Sequence, residues 1–93
     1  MPENVINNLG YRFLGQEKVE EAVAIFRANV ERYPGSANVW DSLGEGLEAA
    51  GDLAAARDSY AKAVRIGREI DDPNVAIYAQ HLATAEAALA GQR

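Results

Sequence analysis

The sequence predicts an all-α fold, an antiparallel helix-turn-helix stack of five helices. Three observations predict it: a 34-residue internal period, apolar residues recurring three and four positions apart within each period, and Gly or Pro breaks between the helical runs. No stretch alternates apolar and polar residues with period two, so no strand is expected.

The first helix carries Ile6, Leu9 and Phe13 on one side, and Gly15-Gln16 breaks it from a second with Val19, Ala22, Val23, Phe26 and Val30. Tyr33-Pro34-Gly35-Ser36 then separates one repeat from the next. A shift of 34 residues superposes Asn4 on Asn38, Val5 on Val39, Leu9 on Leu43, Gly10 on Gly44, Ala22 on Ala56 and Val30 on Val64. Ile6 falls on Trp40, Phe13 on Leu47, Val19 on Leu53 and Phe26 on Tyr60, so the third and fourth helices repeat the first pair. Gly51-Asp52 separates them. Ser36 and Asp52 are placed to cap these helices by accepting from free N–H groups of the first turn. Val64, Ile66 and Ile70 carry the fourth helix to near residue 70. Asp72-Pro73 reads as an N-cap followed by proline at the first helical position. The fifth helix follows, with Val75, Tyr78, Leu82, Ala85 and Leu89 on one stripe, Gln80, Thr84 and Glu86 opposite, and Gly91 as its stop. One domain results: repeats over 3–36 and 37–70, and a capping helix over 72–91.

Composition narrows the function classes. At 93 residues, scaling laws give about 5,200 Å² of folded surface and about 64% burial, enough for one core. There is no cysteine, which removes disulfides, thiolate metal sites and cysteine nucleophiles. The net charge of −5 is the wrong sign for holding nucleic acid or anionic lipid through phosphate contacts. No apolar run has the length of a membrane span, and Met1-Pro2-Glu3-Asn4 lacks the pattern of a signal peptide, so a soluble chain is expected.

The residues Trp40-x2-Leu43-Gly44-x2-Leu47 with Ala56-x3-Tyr60, and Ile6-x2-Leu9-Gly10-x2-Phe13 with Ala22-x3-Phe26 and Pro34, resemble the tetratricopeptide repeat at its 34-residue period. The resemblance covers residues 3–70. Gly10, Gly44, Ala22 and Ala56 are small where helices must approach closely, and the aromatic residues fill the space between. Ile6–Tyr11 and Asn29–Glu45 also resemble repeat segments appended to bacterial serine hydrolases of the esterase and beta-lactamase-like types. That likeness implies an accessory module.

The repeat resemblance implies a concave groove, lined by the first helix of each repeat, that binds a peptide or a partner helix without chemistry of its own. Carried over by position, the groove takes Asn4, Asn7 and Tyr11 from the first repeat and Asn38, Asp41, Glu45 and Glu48 from the second. If Leu82-Ala83 stands for Leu-Gly in a third copy, Gln80, His81 and Thr84 join them. Asp41, Glu45 and Glu48 form an acidic stripe that favours a basic ligand, or else simply a solvated helix face. Tetratricopeptide domains that clamp carboxylate tails carry Lys and Asn here, and Asp41 would repel such a tail.

No cofactor, metal or catalytic constellation is expected. His81 is the only histidine and reads as a surface or end-cap residue. Gly44-Glu45-Gly46-Leu47-Glu48-Ala49 fits G-x-G-x-x-A but lies within a helix. Ser36, Ser42 and Ser59 have no histidine at an arguable spacing, and neither a nucleophile elbow nor an S-x-x-K motif is present. Asn29 sits where the repeat prefers alanine, so a structural bond to the 33–38 turn is expected. A rival to groove binding is self-association or docking through the first helix, where Tyr11 and Leu14 have no evident neighbour and a homodimer would complete the core.

Overall fold

The computed structural model describes residues 1–92, in which five helices follow one another with short turns: α1 (Glu3–Gly15), α2 (Val19–Arg32), α3 (Ala37–Ala49), α4 (Leu53–Glu69) and α5 (Val75–Gly91). There is no strand among the described residues, and no helix is long and apolar enough to cross a membrane. Each helix packs on its neighbours in sequence, and α3 also touches both α1 and α5. The result is a slab 39 × 33 × 18 Å with 5371 Å² of accessible surface, close to the expected value.

The 34-residue period maps onto burial. Phe26 and Tyr60 are both sealed in the interior, as are Ala22 and Ala56. With Val39, Leu43, Leu47 and Ala85 they make one cluster, while Ala37, Ala63, Val64, Ile66 and Tyr78 make a second between α3, α4 and α5. A Cβ on Gly44 would lie 2.5 Å from the Tyr60 ring, and one on Gly10 would overlap the Phe26 ring. Those rings occupy the space the two glycines leave open. On α1, Leu9 and Phe13 are half-buried where their counterparts Leu43 and Leu47 are buried. The reason is that α1 has helices on one side only.

Several expectations need correction. Tyr11 and Leu14 do have neighbours: both pack on the first cluster, and the Tyr11 ring meets Phe26 edge-on at 5.0 Å between centroids. The uncovered apolar side chains of α1 and its approach are Met1 and Val5. Asp52 caps α4 as expected, accepting from the Ala55 N–H at 3.2 Å, but the Ser36 hydroxyl instead donates to the Glu3 carboxylate. Asn29, fully buried, donates from Nδ2 to the Glu3 carbonyl at 3.1 Å and not to the 33–38 turn. Tyr33 donates to the Met1 carbonyl at 2.8 Å. These three bonds moor the start of α1 to α2 and to the turn that follows it. Finally, α5 starts at Val75, two residues past the expected proline position. Asp72 holds the intervening turn by accepting from the Asn74 N–H at 2.8 Å and from the Tyr78 hydroxyl at 3.0 Å. Burial and that carboxylate push the Tyr78 phenol up to about 12.

Candidate functional site

Helical spacing places Asp41 and Glu45 on one face of α3, one turn apart. Against that face α1 supplies Tyr11 and α5 supplies His81. The Tyr11 hydroxyl lies 3.0 Å from both Glu45 Oε1 and Ser42 Oγ. Its single proton goes to the carboxylate, the stronger acceptor, which leaves Ser42 to donate to the phenol oxygen. His81 Nδ1 lies 2.9 Å from Asp41 Oδ1. One turn further along α3, Glu48 accepts from the Tyr60 hydroxyl at 3.1 Å, and the Tyr60 ring stands 5.4 Å from that of His81. Side chains from α1, α3, α4 and α5 thus join one polar network.

The acidic stripe is therefore not a solvated helix face. Asp41 is only 4% exposed, Glu45 is half-buried, and Glu48, though exposed, is bonded to Tyr60. His81 is likewise not a free surface residue, because it is half-buried and paired to Asp41. Of the remaining sequence-derived candidates, Asn7 is buried and Asn38 half-buried. Asn4, Gln80 and Thr84 are exposed, and no side-chain hydrogen bond ties them to the network among the described residues. Thr84 turns its hydroxyl back to the Gln80 carbonyl at 3.0 Å. Ala83 is exposed as well, so Leu82-Ala83 does not serve as a Leu-Gly contact; the small residue sealed in the core is Ala85. Two members were missed by the sequence reading. Ser42 is buried and Tyr60 was assigned to packing alone; helical spacing puts Ser42 beside Glu45, but nothing local announces that Tyr60 reaches Glu48.

Burial controls the protonation of the site. It raises the Tyr11 phenol far above its ordinary value, with Glu45 and Asp41 adding to the effect, and it raises Tyr60 in the same way beside Glu48. Both phenols stay protonated and act as donors. Burial also lifts the carboxyl pKa of Asp41, against the lowering influence of His81, and lifts that of Glu45, to which Asp41 adds. For His81, burial works against the charged ring, but the bond to Asp41 and the charges of Asp41, Glu45 and Glu48 outweigh it and hold the imidazole pKa above its ordinary value. The cluster binds protons more tightly than its members would in water. Three of its groups, Asp41, Glu45 and His81, each offer a ligand atom within 4.8 Å of the other two, which is near enough for a metal ion.

Compared with known proteins, the chain matches no family model and no curated protein.

Proposed function

We propose that this chain is a non-catalytic binding module, a short tetratricopeptide-like stack of two repeats and a capping helix, which takes a basic peptide or partner helix on the face shared by α1, α3 and α5. The observation that carries the reading is the position of Asp41 and Glu45. Carboxylates drawn partly or wholly out of water cost free energy unless they are paired, and among the described residues the one ion pair here is His81 with the buried Asp41, while the half-buried Glu45 has none. Glu48 adds a third negative charge one turn away. A ligand offering Lys or Arg donors would satisfy the remaining acceptors and neutralise the face. Tyr11 and Tyr60, with phenols shifted away from ionisation, hold Glu45 and Glu48 in place by hydrogen bonds and give no activated nucleophile.

Selection of linear peptides from a random display library on the whole chain tests this. Enrichment of Lys and Arg, lost when Glu45 and Glu48 are both changed to Gln, is the expected result. Enrichment of acidic or purely apolar sequences would reject it.

A second reading has its own observation. Met1 and Val5 are 59% and 45% exposed, and with Leu9 they edge a shallow cleft on the outer side of α1 that also includes Asn8 and Arg12. Self-association or docking there would cover an otherwise open apolar end, as an accessory domain of a larger bacterial hydrolase would need. Light scattering over a hundredfold concentration range separates the readings: a dimer that Val5→Glu dissociates favours docking, and a monomer throughout removes self-association.

A further inference from the structure

We propose that Asp41, Glu45 and His81 together form a binding site for a divalent transition-metal ion of the zinc class. The three donors come from two helices that sequence separates by 40 residues, and their ligand atoms lie within 4.8 Å of one another. On a tetrahedral zinc ion, with bonds of about 2.0–2.2 Å, neighbouring ligand atoms stand roughly 3.4 Å apart. His81 Nδ1 and Asp41 Oδ1, now 2.9 Å apart, would open by about half an ångström to admit the ion between them. Glu45 is half-buried and lies one turn from Asp41 on the same helix.

Charge favours occupancy. Among the described residues the ion pairs are Arg57 with Asp58 and His81 with Asp41, so no Lys or Arg is paired to Asp41 or Glu45. With His81 as a neutral ligand the two carboxylates carry the charge of −2 that a divalent ion cancels. Bonds around the donors would orient them: Tyr11 donates to Glu45, and the Tyr60 ring stands against His81. Asn7 precedes Tyr11 by one turn on α1, is 8% exposed, and its Oδ1 has no hydrogen-bond donor.

The donor set selects the ion class. One imidazole nitrogen with two carboxylates suits zinc and its neighbours, whereas calcium takes six to eight oxygens and magnesium keeps several waters in an octahedron. Three protein ligands leave a fourth position for water or for a group from a partner.

Calorimetric titration of the whole, tag-free chain with zinc chloride at neutral pH tests the site. The expected result is saturable binding of one ion per chain. Glu45→Gln and His81→Gln should each weaken binding by roughly tenfold or more, and thermal melts of the two variants establish that they remain folded. On the unaltered chain, NMR should show the Nδ1 resonance of the single histidine moving on zinc addition and not on calcium addition. Absence of binding below about 1 mM, binding that survives either substitution, or an unmoved His81 resonance would each overturn the proposal. Zinc titration uses the chain without a peptide, so its outcome and that of the peptide selection are read separately.

Discussion

His81 on α5 places its Nδ1 2.9 Å from Oδ1 of Asp41 on α3, 40 residues earlier in the chain. This contact ties the capping helix to the middle of the stack through a carboxylate that is almost fully buried. Around it, Glu45 and Glu48 add negative charge, while Tyr11 and Tyr60 hold those two carboxylates by hydrogen bonds.

Stability should fall as pH rises from about 4 to 8. The His81 pKa is raised in the folded chain, so its contribution is complete below the unfolded value of about 6.5 and is lost as pH rises through the folded value. Asp41 and Glu45 are also raised, so they bind protons more tightly when folded and their contribution too is lost with rising pH, at lower values. Thermal melts followed by circular dichroism across this range check the sign. His81→Gln should flatten the part near neutrality; an identical profile in the variant would separate His81 from the effect.

Gly44→Ala should destabilise by about 1–3 kcal/mol despite the better helix propensity of alanine, because the new methyl meets a Tyr60 ring that is itself sealed in the core. Gly15→Ala is the counterpart, in the last turn of α1 with nothing within 4 Å of the added carbon. There the change should be neutral or stabilising by up to about 1 kcal/mol. Urea denaturation of both variants gives the comparison, and equal effects would mean that the Gly44–Tyr60 contact does not limit packing.

The repeat also marks a strained residue. Glu17 adopts a φ of 62°, and 34 positions later Gly51 adopts 84° in the matching turn. Only the second repeat has the residue type that takes this conformation freely. Glu17→Gly should therefore stabilise by up to about 1 kcal/mol, and Gly51→Ala should destabilise by a similar amount. Melting temperatures of the two single variants check the signs, and a loss in Glu17→Gly would contradict the equivalence of the turns.

Much of the architecture was legible because packing imposes residue types at a fixed interval: Gly10 against Phe26 repeats as Gly44 against Tyr60. The start of α5 was less legible, since Asp72 holds a turn that proline spacing does not reveal. For the site, Asp41 and Glu45 fall on one face by spacing alone. His81 was a candidate, yet its pairing depends on the rotation of α5, and burial of Tyr78 and Ala85 sets that rotation. Aligning Leu82-Ala83 with Leu-Gly turned the helix differently and grouped Gln80 and Thr84 with His81. The bond from Tyr60 to Glu48 crosses between helices and leaves no local pattern to read.

On the proposed function, the face shared by α1, α3 and α5 receives a cationic segment. The most direct test is an NMR titration of the ¹⁵N-labelled chain with a short arginine-rich peptide and, separately, with an acidic peptide of the same length. Saturable shifts centred on Asn7, Tyr11, Asp41, Glu45 and His81 are expected with the basic peptide alone, weakened by Glu45→Gln. Shifts confined to Met1, Val5 and Leu9 on the outer side of α1, or none with either peptide, would contradict it.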